Sequence, residues 1–220
     1  MIPAHHKKSY DIGNIKTYKD IPGWINDAEY VYEEVSREFE DGDIVVEIGS
    51  LLGQSACRMA SLIKESGKKV KFDSIDLFWM IDQTFNNIEH SKQPKSFAKY
   101  VNDIKALAPG ISIVDVVRHS TIALDLVEYV NFITCDEKYA HRLYDDNTLK
   151  FVWLDGDHTG DVPYNDLINF WPKLKSNGII AGDDIVYPDV KSAVDRFVKD
   201  NKKEIEELRI DSNYFLIRKK

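Results

Sequence analysis

Apolar positions along the chain follow two alternating rhythms. Ala28, Val31, Val35 and Phe39 recur at helical spacing, with Glu29, Glu33, Glu34 and Glu38 on the other face and Asn26 or Asp27 where a cap belongs. This predicts a helix within an N-terminal cap over residues 1–40. The rhythm then changes to an unbroken apolar run, Ile44-Val45-Val46 with Ile48, which suits a strand buried on both faces. A helix with Ala56, Met59, Ala60 and Ile63 inward, closed by Gly67, comes next. The second strand is expected from Val70 to Asp76. A further helix carries Phe97, Val101 and Ile104 and ends at Pro109-Gly110, and the third strand is expected at Ile111 to Val117, followed by a short helix from Thr121 to Val130. Phe151 to Leu154 reads as the fourth strand, Pro163 to Leu174 as a helix, and Ile179 to Ala181 as the fifth strand. A helix with Val190, Val194, Phe197 and Val198 inward precedes a hairpin over 208–210 and 214–217.

Strands alternating with helices and closing on one hairpin predict an α/β fold: a doubly wound, Rossmann-like sheet, mostly parallel, with a C-terminal antiparallel hairpin strand and helices on both faces. At 220 residues one domain is expected, over residues 1–220. Two segments break the alternation. Residues 79–93 and 131–148 have weak periodicity and read as insertions, the first as a lid.

The strand at 44–48 runs into a turn with special chemistry, V-E-I-G-S-L-L-G-Q-S over 46–55. Glycines at 49 and 53 let the backbone bend sharply and lie close to a ligand. A dinucleotide site would want G-x-G-x-x-G, and a triphosphate site would want a lysine after its last glycine. Neither is present. An acid followed by G-x-x-x-G suits an adenosyl ligand that lacks phosphates and has a zwitterionic end, for which S-adenosylmethionine is the candidate. Ligands of open α/β sheets lie beyond the carboxyl ends of the strands. There Asp76 can accept hydrogen bonds from ribose hydroxyls, and His119 with Ser120, following the expected third strand, can edge an adenine. Ser120 serves equally well as the cap of the helix starting at Thr121.

Asp155, Asp157 and His158 follow the fourth strand, and Asp183 and Asp184 follow the fifth. Adjacent strands lie roughly 4.8 Å apart, so these carboxylates converge and repel unless a cation binds or one acid holds a proton. An all-oxygen set suits Mg²⁺, with Mn²⁺ or Ca²⁺ as substitutes, whereas zinc would want more His and Cys.

Charge and composition narrow the partners. Thirty-seven acidic against 29 basic residues leave a formal charge of -8, which disfavours a nucleic-acid backbone. No apolar run is long enough to span a membrane, and the first residues carry no signal-like core, so the cytoplasm is the expected location. Cys57 and Cys135 form no metal or C-x-x-C pattern and read as free thiols.

These pieces together resemble the class I S-adenosylmethionine-dependent methyltransferases, and specifically the cation-dependent O-methyltransferases that include catechol O-methyltransferase and the macrocin and mycinamicin sugar O-methyltransferases. The matching segments are 46–55, Asp76, F-V-W-L-D-G-D-H at 151–158, W-P-K-L-K-S-N-G-I-I-A-G-D-D at 171–184 and D-V-K-S-A-V-D-R-F at 189–197. His158, where the catechol type has lysine, favours the sugar-type branch. The resemblance implies that Gly49, Ser50, Gly53 and Ser55 hold the methionine end, with Glu47 supporting the turn, Asp76 on the ribose and Asp155 near the cofactor. It implies metal ligands at Asp155, Asp183 and Asp184, and a base at His158 or Asp157. The implied reaction is methyl transfer to a hydroxyl of a small molecule, a sugar or other diol, with the acceptor selected by the two insertions and a homo-oligomer left open. Two other classes compete: a catalytically silent S-adenosylmethionine-binding protein, and an NAD-dependent oxidoreductase, which the absent G-x-G-x-x-G disfavours.

Overall fold

The computed structural model describes residues 15–21, 23, 25, 29–78 and 113–220. Its centre is a seven-stranded sheet ordered β3-β2-β1-β4-β5-β7-β6. The strands are β1 (Ile44–Ile48), β2 (Lys71–Asp76), β3 (Asn131–Thr134), β4 (Leu149–Leu154), β5 (Leu174–Gly182), β6 (Ile205–Ile210) and β7 (Phe215–Lys219). β1 to β5 run parallel, and β7 inserts antiparallel between β5 and β6. The doubly wound sheet with a closing hairpin is therefore the one expected from the alternation of elements.

Successive residues of the central strands feed opposite faces, as a period of two requires. Val45, Phe151, Trp153, Ile179, Ala181 and Leu216 pack with the helices Glu29–Ser36 and Gln54–Ser66. Their neighbours Val46, Ile48, Val152, Leu154, Ile180 and Ile217 pack with the helices Val162–Phe170 and Pro188–Asn201. Both faces are covered, so β1 and β4 are apolar almost throughout, and each fully buried side chain contributes about 1.5 to 3 kcal/mol. Glu38 closes the far end, accepting two 2.8 Å hydrogen bonds from Arg218 of β7 and one of 3.0 Å from Lys150 of β4. That fork joins the N-terminal segment to the C-terminal strand.

The third strand lies elsewhere than the sequence suggests. Ile113–Ala123 is a helix, and β3 is at 131–134, inside the segment read as an insertion over 131–148. β-Branched residues at 113, 114, 116 and 117 favour a strand, yet Val116, Val117, Ser120 and Thr121 also satisfy the i, i+1, i+4, i+5 spacing of a helix face, and all four are buried there. Packing decides between the two. β3 escapes recognition because it is a four-residue edge strand with exposed ends, paired only to β2. The rest of 131–148 holds a helical turn, Glu137–Ala140, and a 3₁₀ turn, His141–Leu143, so the segment opens with an edge strand of the sheet and continues as helical turns. The helix expected to reach Leu174 stops at Phe170, and Leu174 begins β5. The expected lid at 79–93 and the helix after it lie outside the described residues. Among the described residues, no helix is long and apolar enough to cross a membrane.

Candidate active site

The glycine turn lies at the carboxyl end of β1, between the ends of β2 and β4. Register sets Ile48 beside Ile75 on one side and Leu154 on the other, so Gly49 sits between Asp76 and Asp155. Gly49 has φ +88°, and a β-carbon there would lie 1.9 Å from the carbonyl oxygen of Asp155. Only glycine fits, because backbone cannot move aside as a side-chain tip can. Gly53, at φ +83°, precedes the helix Gln54–Ser66 and faces Val117.

The Asp76 side chain shapes the same turn. Its Oδ2 accepts hydrogen bonds from the amides of Ser50 (2.9 Å) and Leu51 (2.8 Å), and its Oδ1 accepts one from Phe78 (2.9 Å). Leu51 is held at φ +48°, an uncommon conformation for a non-glycine residue, and the anchored amide offsets its strain. The Ser50 hydroxyl is buried and makes no hydrogen bond among the described residues. Beneath the turn, Glu47 is 1% exposed and accepts hydrogen bonds from Ser74 (2.7 Å) and Tyr32 (3.1 Å), with Ser55 also bonded to it. Burial outweighs these bonds and pushes its carboxyl up to about 7.

The acids at the ends of β4 and β5 meet as their register demands, since Leu154 pairs with Gly182 and so sets Asp155 opposite Asp183. Asp155, His158, Asp183 and Asp184 each offer one ligand atom within 4.8 Å of all the others. His158 Nε2 lies 3.0 Å from Asp184 Oδ2 and 3.7 Å from Asp155 Oδ1. Burial and the Asp183 carboxylate raise the Asp155 carboxyl well above the usual range. Burial alone would lower the His158 imidazole, but its hydrogen bond to Asp184 and the carboxylates around it raise it. Three carboxylates and an imidazole at this spacing fit a divalent cation by charge and donor type.

Asp157 is engaged by its own loop. Its Oδ1 accepts hydrogen bonds from the Thr159 amide (2.9 Å) and hydroxyl (2.7 Å), and its own amide donates to Glu137. The loop is tied further by the Gly160 amide, which donates to Asp189 at 2.8 Å.

Sequence and fold comparisons identify the domain. Residues 46–185 match a protein family described as a methyltransferase domain. The chain belongs to this methyltransferase family. No curated protein is significantly similar to it in sequence. Solved structures share the fold. The O-methyltransferase NovP has a TM-score of 0.62 and 19% identity, over 97% of this chain and 90% of that one. An O-methyltransferase from Bacillus cereus, in complex with S-adenosylhomocysteine (SAH), has 0.56 and 12%, over 90% and 83%. A SAM-dependent O-methyltransferase from Thermotoga maritima also has 0.56 and 12%, over 90% of this chain and 66% of that one.

The methyltransferase thus brings Glu47, Gly49, Ser50, Gly53, Ser55, Asp76 and Asp155 around one turn, with His158, Asp183 and Asp184 beside it. It does not bring His119 and Ser120 to a strand end. Both lie inside the helix Ile113–Ala123, and Ser120 is fully buried with its hydroxyl on the Val116 carbonyl at 3.0 Å, so it caps nothing. The place beyond β3 belongs instead to Cys135 and Asp136, where the Cys135 amide donates to the Asp76 carbonyl at 3.1 Å. Two further residues escaped the reading of the sequence. Asp166 is 4% exposed and lines a small cavity of about 20 Å³, room for about one water, with Asp157, His158 and Asp183. Burial, then Glu137 and Asp157, push it up to about 8. Its signal was an acid on the inward helix stripe between Val162 and Phe170. Tyr187 lies beside His158, their ring centroids 5.7 Å apart and their planes inclined by 30°, and no motif marks it.

Proposed function

We propose that this methyltransferase transfers the methyl group of S-adenosylmethionine to a hydroxyl oxygen of a small diol-bearing molecule, with Asp155, Asp183 and Asp184 holding a divalent cation, Mg²⁺ by preference. The observation that carries this reading is the convergence of the Asp155, Asp183 and Asp184 carboxylates within 4.8 Å, one strand end away from the glycine turn. The D-G-D-H and G-D-D segments, with histidine at 158, support the macrocin-like sugar branch among such enzymes. The charge of -8 supports a small molecule over a nucleic acid as acceptor.

When bound, S-adenosylmethionine supplies a methyl group already activated on a sulfonium, and the cation supplies acidity to a hydroxyl. The chain's own residues orient, support and take up a proton. Asp76 and the glycine turn keep the amides of Ser50 and Leu51 fixed at the cofactor end, and Asp76 Oδ1 keeps acceptor capacity for a ribose hydroxyl. The unsatisfied Ser50 hydroxyl is a donor that a zwitterionic head would engage. Burial of Glu47 excludes water beneath the turn. His158 takes the acceptor proton, and Asp184 and Asp155 stabilise the imidazolium that results. Alignment of the two reactants contributes several kcal/mol more, reaching about 7 to 11 in the best-oriented systems.

Calorimetry with SAH tests pocket and cation together. SAH should bind without metal, Mg²⁺ should restore turnover removed by a chelator, and Asp183→Asn with Asp184→Asn should abolish that restoration. Methyl transfer that continues in excess chelator would overturn the role of the cation.

A further inference from the structure

The sheet ends on an open edge whose sequence is complementary to itself. β6 is the last strand in the order and is bonded, among the described residues, to β7 alone. The strand at the opposite end, β3, has only four residues, whereas β6 has six. Very short edges resist further pairing, and longer ones present a row of unpaired amides and carbonyls. A register shift between Ile205 and Glu207 disturbs the start of β6, but from Glu207 to Ile210 its pairing with β7 is regular.

The hairpin fixes which backbone groups face outward. The Asp211 amide donates to the Tyr214 carbonyl at 3.0 Å, so Asp211 is turned toward β7. Alternation then turns the amide and carbonyl of Arg209 toward β7, and those of Leu208 and Ile210 toward the free edge. Side chains alternate between the two faces as well. Leu208 and Ile210 are 42% and 47% exposed, two large apolar groups on one face. Glu207 and Arg209 share the other face. There Arg209 Nη2 donates to Glu34 at 2.9 Å and Glu207 accepts from Arg218 Nε at 3.4 Å, while Arg209 Nε has no hydrogen bond among the described residues.

A second copy related by a two-fold axis normal to the sheet runs antiparallel to the first and keeps like faces together, so each residue on the axis meets itself. Centring on Glu207 or on Arg209 opposes two like charges, which is destabilising. Centring on Ile210 carries both strands past their ends. Centring on Leu208 does neither. It pairs the outward-facing backbone of Leu208 with itself and sets Glu207 of each copy opposite Arg209 of the other, at non-hydrogen-bonded positions where facing side chains lie closest. We propose that β6 is a self-association edge of this protein, paired antiparallel with the β6 of a second copy about Leu208 and held in register by two Glu207–Arg209 contacts. The two sheets then join into one. β5 and β6 run in the same direction, each antiparallel to β7, so the β5 ends of the two copies face opposite rims and both acid clusters stay open. One strand pair buries little area, which makes this a weak, concentration-dependent dimer.

Sedimentation velocity from micromolar to near-millimolar protein tests the pairing. The unmodified chain should pass from monomer to dimer as concentration rises. Glu207→Arg sets arginine against arginine and Arg209→Glu sets acid against acid, so each variant alone should associate about tenfold more weakly or worse. An equimolar mixture of the two should associate again, because every arginine then meets an acid across the edge. Hydrogen exchange on the unmodified chain gives a readout that needs no variant to fold. Exchange at the Leu208 amide should slow as concentration rises, while that at Arg209, turned toward β7, should not change. An unmodified chain that stays monomeric throughout, single variants that dimerise like the parent, or a mixture no more associated than its components would overturn the pairing. Leu208 exchange that ignores concentration would overturn it as well.

Discussion

The α-carbon of Gly49 abuts the carbonyl of Asp155, so closely that a β-carbon on residue 49 would stand 1.9 Å from that oxygen. The glycine turn after β1 and the strand end that carries the acid cluster are therefore in backbone contact, and neither can shift without the other. The hydrogen bond from the Asp155 amide to the Ile48 carbonyl, 2.8 Å, locks the same junction.

Alanine at the two glycines of the turn should have unequal effects. Gly49→Ala meets backbone and should destabilise the fold by about 2 to 4 kcal/mol, whereas Gly53→Ala meets the tip of Val117 at 2.8 Å and should cost about 1 to 2. Urea unfolding of both variants checks this. Equal effects would mean that the loop after β4 moves freely from the turn.

Asp76→Ala removes the acceptor for the Ser50, Leu51 and Phe78 amides and, on the proposed function, the ribose contact as well. SAH affinity should fall by about 1.5 to 3 kcal/mol, the scale of hydrogen bonds to a charged acceptor. A folded variant that binds SAH as tightly as the parent would take Asp76 out of the site.

His158 and Asp157 can be ranked by their present partners. His158→Ala should lower kcat by roughly 10² to 10⁴ while SAH binding holds, the usual span for a general base. Asp157→Asn should do less, because its Oδ1 is engaged by Thr159. Kinetics showing the reverse order would hand the proton to Asp157.

Glu47 makes stability depend on pH. Its folded carboxyl lies at about 7 against an ordinary 4.5, so the folded state binds more protons between those values. The stability this group contributes is fully present below about pH 4.5 and is lost as pH rises through about 7. Glu47→Gln, which stays neutral, should gain on the order of 3 kcal/mol relative to the parent between pH 4.5 and 8. Denaturant unfolding at both pH values checks the difference, in which other titrating groups cancel. A constant gap between parent and variant would show that Glu47 ionises freely.

Much of this molecule could be read from residue order, because the strongest signals are local. The strand 44–48, its glycine turn and the following helix are encoded in one contiguous stretch, and the acids after β4 and β5 follow directly from apolar runs that end in D-G-D-H and G-D-D. The C-terminal hairpin was legible for the same reason. What only the tertiary structure decided depends on partners far apart in the chain. Val116 and Val117 are compatible with either a strand or a helix, and burial of Ser120 and Thr121 beside them chose the helix. The edge position was left to 131–134, whose single neighbour β2 lies more than fifty residues earlier. Glu47 is an acid in any reading of the turn, but its raised carboxyl comes from enclosure with Tyr32 and Ser74, contributed by a helix before it and a strand after it. Likewise the meeting of His158 with Asp184, and of both with Tyr187, arises because β4 and β5 are neighbours with Leu154 level with Gly182. Local sequence sets which backbone each segment favours, while long-range burial and register determine which side chains share one low-dielectric space.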